Sequence, residues 1–158
     1  LTGRSGVAEL AADDRLSGAL ARFFVRAAGN GSVLLLDPKR ALHLVHLRNE
    51  FLSADPSRVL GFDAALTYRE DPAFEFRRQI ALPFVKLFGT GSIAFSASAE
   101  PARLEVTPET PLTLAARSLL AYGGDVAVDL VEDADPLADL GGGPVLSVSG
   151  AGYVLIEA

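Results

Sequence analysis

The chain carries one short glycine motif three times: Gly-Asn-Gly-Ser-Val at residues 29–33, Gly-Thr-Gly-Ser-Ile at 89–93 and Gly-Ala-Gly-Tyr-Val at 150–154. The first residues of the three motifs, Gly29, Gly89 and Gly150, are evenly spaced along the chain. A nearly constant spacing of about 60 residues is typical of one supersecondary unit that the chain uses more than once. The motif therefore predicts an internally repeated architecture, although it predicts no activity by itself.

The similarity between the copies extends beyond the glycines. Residues 24–62 align with residues 84–122 without a gap and are identical at eight of the 39 positions. Several shared positions are apolar, as in the pairs Phe24/Phe84 and Leu52/Leu112, which is the pattern of residues that line a core. We interpret the 158 residues as one β domain. Its repeats fall at about 22–80, 82–140 and 145–158, and we expect further residues upstream of the sequence given.

Short apolar runs separated by Gly, Pro and Asp predict an all-β protein. We predict strands at 23–26, 32–36, 42–46, 58–62, 81–88, 92–96, 103–107, 112–115, 119–122, 125–130 and 145–157. With a repeat of about 60 residues, the expected architecture is a double-stranded β-helix or a sandwich-like β-barrel.

The glycine pairs have a structural interpretation and a functional one. A glycine between two β runs usually supplies a turn or a bulge at positive φ. A phosphate-binding loop would require a third glycine, but Leu34, Ala94 and Leu155 stand at that position. We therefore assign the six glycines to structural turns: Gly29, Gly31, Gly89, Gly91, Gly150 and Gly152.

Composition and charge restrict the function classes. Hydrophobic residues make up 49% of the chain and charged residues 22%, which is ordinary for a globular protein. No apolar run reaches the roughly 18 residues that cross a bilayer. A net charge of -6 makes nucleic acid an unexpected partner. The chain has no cysteine, which excludes thiolate metal sites, and we expect a cytoplasmic protein.

No catalytic constellation stands out, and we predict no catalytic residue, metal or cofactor. His43 and His46 are the only histidines, and three residues apart on a strand they point to opposite faces, so they do not converge on a metal. The acidic stretch 132–135 lacks the glycine and closing glutamate of a calcium loop. A solvated loop is the simpler interpretation of that stretch.

One predicted strand is apolar on both sides. His43, Val45 and Leu47 stand where the second copy has Arg103, Glu105 and Thr107, which are ordinary solvent-facing residues. We expect His43, Val45 and Leu47 to form the outward face of the strand, with His46 pointing inward. A strand that is apolar on both faces must be covered. We predict an interface with a second copy or another protein at His43, Val45 and Leu47.

The order of several motifs resembles a known family. Gly-x-Gly-Ser-Val-x-Leu at 29–35 precedes Leu-x-Val-Thr-Pro at 104–108, Ser-Leu-Leu-Ala-Tyr at 118–122 and Gly-x-Gly-Tyr-Val-Leu-Ile at 150–156. In this order, over nearly the whole chain, the sequence is similar to the altered-inheritance-of-mitochondria family, its twenty-fourth member. In bacteria that family is a domain of unknown function.

The resemblance implies a fold like that of the trp RNA-binding attenuation protein, a double-stranded β-helix with internal pseudo-symmetry that can form oligomers. It implies a link to mitochondrial inner-membrane organisation in eukaryotic members and no assigned reaction in bacterial ones. It supplies no catalytic residues. RNA binding does not follow from the fold, because function resides in sites rather than in topology.

We therefore expect a non-enzymatic structural or assembly module that acts through protein–protein contacts, without nucleic acid or integral membrane insertion. The alternative is a small-ligand binder or a cupin-like enzyme that uses the interior of a β-barrel. That alternative needs polar groups that converge inside. Apart from His46, the positions predicted to face inward are mostly aliphatic.

Overall fold

The structure is a computed structural model that describes residues 3–6, 9–11, 24–29, 31–71, 84–131 and 144–157. The strands are β1 (Gly3–Gly6), β2 (Glu9–Ala11), β3 (Arg26–Ala28), β4 (Gly31–Leu34), β5 (Ala41–Ala54), β6 (Val59–Phe62), β7 (Thr67–Asp71), β8 (Phe84–Ala97), β9 (Ala102–Val106), β10 (Leu112–Ala115), β11 (Leu119–Leu130) and β12 (Val145–Ile156). One 3-10 turn, Ala116–Ser118, precedes β11. The all-β prediction is confirmed, and the described ranges contain no α-helix.

Eight strands form the main antiparallel sheet, in the order β10-β12-β11-β5-β8-β6. β7 also pairs with β8, and β9 also pairs with β12. Two further two-stranded sheets pair β1 with β4 and β2 with β3. Within the described residues the order ends at β10 and β6, which do not pair, so the sheet is not closed into a barrel.

The sheet has two halves, one of β5–β8 and one of β9–β12, and β8 and β12 are the central strands of these halves. β8 lies between the long β5 on one edge and the short β6 and β7 on the other. β12 lies between the long β11 and the short β9 and β10. Among the described strands, the two halves of the sheet are joined by the pairing of Ser53 and Ala54 with Tyr122 and Ala121.

Two long strands were divided in the sequence prediction. β8 joins the predicted segments 81–88 and 92–96, and β11 joins 119–122 and 125–130. The glycines between those segments do not interrupt the ladder, because Gly91 pairs with Leu47, and Gly123 pairs with Tyr153. Glycine at these positions therefore does not end the strands.

The apolar side chains form two core clusters, and each cluster includes residues from both halves of the sheet. Residues of the first cluster include Leu47, Leu52, Leu66, Val85, Leu87, Ile93, Phe95, Leu120 and Leu155. Residues of the second include Phe84, Val106, Leu119, Tyr122, Val128, Leu146, Val148 and Val154. Each fully buried side chain of this size contributes about 1.5–3 kcal/mol to folding, so the clusters are the main source of stability.

A β-bulge in β5 sets which side chains reach the first core. The register with β8 shifts between Arg48 and Glu50, and Asn49 there has a φ of 58°. An extra residue in one strand reverses the alternation of side chains beyond it. Leu47 and Leu52, five residues apart, are consequently both buried in the same core.

Candidate functional site

The glycine motifs lie in and beside strands. Gly29 stands between β3 and β4 with a φ of 108°, Gly89 lies within β8 with a φ of 126°, and Gly150 lies within β12 with a φ of 112°. Gly89 and Gly91 are both inside β8, and Gly150 and Gly152 are both inside β12, rather than in turns that connect strands. The repeat itself stays a prediction.

The two faces of β5 are the reverse of the sequence assignment. Leu47, predicted to face outward, is 1% exposed, and Val45 packs against the first core. His43 is half-buried and His46 is exposed. The reason is the pairing with β8: Val45 lies opposite Ile93, which is fully buried, and directly paired side chains share a face of the sheet. His43, Val45 and Leu47 are therefore not a free surface.

The outward face of β5 is nevertheless apolar. Leu42 is 43% exposed and Leu44 is 60% exposed. Two residues further along the same face, the His46 Nδ1 atom lies 3.0 Å from the Ser92 hydroxyl of β8. The prediction that this strand is apolar on both sides is correct, but the exposed side carries different residues.

β5 also has an open edge. β8 pairs with it over its whole length, whereas β11 pairs only with Ser53 and Ala54. No other described strand pairs with residues 41–52 on that edge. Because half of the backbone groups of a strand point away from a given antiparallel neighbour, this edge presents N–H and C=O groups that pair with no other strand in the described part of the chain.

A cavity of about 450 Å³ opens on the outer side of β5, β7 and β8. Its lining residues are Phe51, Thr67, Tyr68, Arg69, Lys86 and Phe88. Five of them stand on one face in two neighbouring rows of the sheet: Phe51, Phe88 and Thr67 in one row, Lys86 and Arg69 in the next. The cavity is thus built on three paired strands, which fixes the positions of its walls.

The cavity has cationic and aromatic walls. Arg69 lies directly opposite Lys86 across β7 and β8. The Lys86 Nζ atom stands 3.8 Å from the centre of the Phe51 ring. Phe88 is 50% exposed. None of the lining residues is acidic, so the local charge is positive although the chain as a whole carries a net charge of -6.

A polar contact fixes the segment before β5 to the same outer face. The Ser96 hydroxyl of β8 donates a hydrogen bond to one Asp37 carboxylate oxygen, and the Lys39 N–H donates to the other at 2.8 Å. The hydrogen bond from Ser96 is the main reason that the pKa of Asp37 is lowered from 3.8. Ser96 itself is 1% exposed, so the segment that carries Asp37 covers the outer face at this end of β8.

A buried ion pair lies near the end of β12. Arg58 pairs with Glu157, whose carboxylate also accepts a hydrogen bond from the Ser98 N–H. Arg58 is 9% exposed, and burial lowers the pKa of its guanidinium. Arg58 precedes β6 and Glu157 follows β12, so the pair connects the two halves of the sheet.

The two histidines do not form a metal site. His43 and His46 stand on opposite faces of β5, as their spacing predicts, and among the described residues no three His, Asp or Glu side chains converge. The acidic stretch 132–135 lies outside the described residues.

Sequence reasoning missed the residues of the cavity. Arg69, Lys86, Phe51 and Phe88 lie far apart along the chain and match no motif. The signal that identifies them is the cross-strand register, which brings two like charges face to face. Of the strands that carry these residues, β8 was predicted, β5 was predicted only over 42–46, which leaves out Phe51, and β7 was not predicted.

No family model and no curated protein matches the chain. Among solved structures, it is similar to protein SPYM3_0169 from Streptococcus pyogenes, with 17% sequence identity and a TM-score of 0.72. The match covers 99% of this chain and 78% of the other. At this identity the likeness shows a shared fold. None of the helical segments in the described ranges is long and apolar enough to cross a membrane.

Proposed function

We propose that the protein is a non-enzymatic assembly module that associates through β5. The observation that carries this proposal is the combination of an open strand edge at residues 41–52 with the exposed leucines Leu42 and Leu44. Open edges pair readily with strands of other chains, and exposed apolar side chains favour their burial.

The partner in this proposal is a second copy of the chain. Antiparallel pairing of two β5 edges about a two-fold axis satisfies the free backbone groups of both copies at once. It also places Leu42 and Leu44 of each copy beside β5 of the other, which covers part of their exposed surface. Full burial of each leucine contributes about 1.5–3 kcal/mol, which adds to the backbone hydrogen bonds.

Sedimentation of the double variant Leu42→Ser/Leu44→Ser tests the proposal. We expect the wild-type protein to sediment as an oligomer and the variant to shift toward the monomer. The matched control is Leu104→Ser/Leu130→Ser, which also replaces two exposed leucines, 38% and 37% exposed, but in the other half of the sheet. The control is expected to keep the wild-type mass.

A monomeric wild-type protein would overturn the proposal, as would an unchanged mass for Leu42→Ser/Leu44→Ser. Equal dissociation of both double variants would show that the effect does not depend on β5. Replacing Leu47 is unsuitable as a test, because its side chain belongs to the core.

The finer assignments belong to the same proposal. Membership of the altered-inheritance-of-mitochondria family is supported by the order of the sequence motifs, and the repeated double-stranded β-helix by the positive φ of Gly29, Gly89 and Gly150. A cytoplasmic location is supported by a chain without cysteine. A second function, small-ligand binding, is favoured by the cavity beside Lys86.

A further inference from the structure

We infer that the cavity between β5, β7 and β8 binds a small organic anion. Arg69 and Lys86 hold its carboxylate or phosphate group, and Phe88 and Phe51 contact a flat apolar body. This inference does not depend on self-association, because the cavity is built by one copy of the chain.

The size of the cavity suits a small molecule. Its volume of about 450 Å³ falls within the roughly 300–1,000 Å³ of ordinary ligand sites. The two rows of lining residues are two positions apart along the strands, about 7 Å. An aromatic acid can therefore cover the aromatic row with its ring and reach the cationic row with its anionic group.

The charges of the cavity favour an anion. Like charges directly opposite each other on neighbouring strands destabilise a sheet, and Arg69 and Lys86 are placed in this way. Neither forms an ion pair with another described residue. An anion between them removes the repulsion and receives charge-assisted hydrogen bonds, and the planar guanidinium of Arg69 matches a carboxylate or phosphate with two parallel bonds.

The aromatic wall favours an anion that carries an apolar body rather than an inorganic ion. Phe88 leaves half of its surface exposed, and the ring of Phe51 is held beneath the Lys86 ammonium. An aromatic ligand stacked on Phe88 buries apolar surface of both partners. The same ligand leaves the contact between Lys86 and Phe51 in place.

The two lysines of the chain, Lys39 and Lys86, provide a direct measurement. Reductive ¹³C-methylation of the full chain labels both side chains, keeps their positive charge and gives separate NMR signals. On titration with 2-naphthoate we expect a saturable shift of the Lys86 signal, while Lys39, which lies outside the cavity, serves as the internal control. Neutral 2-naphthol and ring-free acetate should each bind at least about tenfold more weakly than 2-naphthoate.

Variants separate the roles of the two walls. Equilibrium dialysis of the unmethylated protein should show about tenfold weaker binding of 2-naphthoate for Arg69→Gln and for Lys86→Gln. Arg48→Gln, an exposed cation of β5 that does not line the cavity, should bind as the wild type does. Equal shifts of Lys39 and Lys86, a shift that does not saturate, or wild-type affinity in Arg69→Gln would overturn the inference.

The outcome is distinguishable from that of the assembly proposal. Leu42→Ser/Leu44→Ser leaves the lining of the cavity unchanged and is expected to bind 2-naphthoate with wild-type affinity. Arg69→Gln is expected to keep the wild-type mass in sedimentation.

Discussion

β8 and β12 carry the same Gly-x-Gly motif, at Gly89 and at Gly150, yet the two motifs have different surroundings. A Cβ atom at Gly89 would meet Leu66 Cδ2 at 3.5 Å, an ordinary contact, whereas at Gly150 it would meet the carbonyl oxygen of Asp125 at 2.2 Å. The bulge at Asn49 lies opposite the motif in β8, while β11 pairs with β12 in unbroken register there. β8 therefore has space for a Cβ atom at Gly89, whereas β12 has none at Gly150.

The outer faces of the two strands differ as well. When Gly89 is aligned with Gly150, Ser147 corresponds to Lys86, and Asp129, which lies directly opposite Ser147, takes the place that Arg69 has opposite Lys86. At the position of the exposed Phe88 stands Ser149. The pair of β11 and β12 therefore forms without two cations opposite each other and without an exposed aromatic ring at these positions. The cationic and aromatic residues beside β8 are thus a local property of one half, which supports a binding role for them.

The largest expected effect concerns the glycines. Gly150→Ala should lower the free energy of unfolding by about 3 kcal/mol or more, because a backbone collision adds to the strain of a positive φ. Gly89→Ala should cost only about 1–2 kcal/mol, since it has the strain without the collision. Urea unfolding followed by circular dichroism measures both. If Gly89→Ala were as damaging as Gly150→Ala, the contrast between the two strands would be mistaken.

The next effect concerns the ion pair that connects the halves. Glu157→Gln leaves the Arg58 guanidinium buried without its counter-charge and should cost about 2–3 kcal/mol. Glu105→Gln breaks an ion pair with Arg103 in which both side chains are more than half exposed, and it should cost less than about 1 kcal/mol. Thermal or urea unfolding of the two variants compares them. Equal losses would mean that burial does not distinguish the two pairs.

The smallest effect is a change in titration. Because the pKa of Asp37 is lowered in the folded state, its stabilising contribution is present above the unfolded pKa and is lost as the pH falls through the folded value. Ser96→Ala removes the main hydrogen bond and should raise the pKa of Asp37 toward 3.8, as measured by NMR of the carboxyl carbon in acid. Ser92→Ala, on the same face of β8, should leave that titration unchanged.

Much of the fold follows from the sequence, and the exceptions have physical causes. The apolar runs predict the all-β class, and β10 has the bounds predicted for it. β7 was missed because three of its five residues, Arg69, Glu70 and Asp71, are charged. Its pairing with β8 holds it in the sheet, and such a tertiary contact is invisible in local composition.

The candidate sites were harder to predict than the fold. The face of Val45 and Leu47 was inferred from the second copy, but the corresponding β9 has four exposed residues of five and lies beside β12 only, whereas β5 is the partner of the buried β8. The apolar character of β5 was visible in the sequence. The bulge and the cross-strand register, which decide what is exposed, were not.

The most direct test of the central claim is amide hydrogen exchange of β5 at low and high protein concentration. If the open edge is where two copies meet, the amides of residues 42–50 that point away from β8 should exchange more slowly at high concentration, while those of β12 should not change. Concentration-independent exchange along β5, or equal slowing in β12, would contradict assembly through this strand.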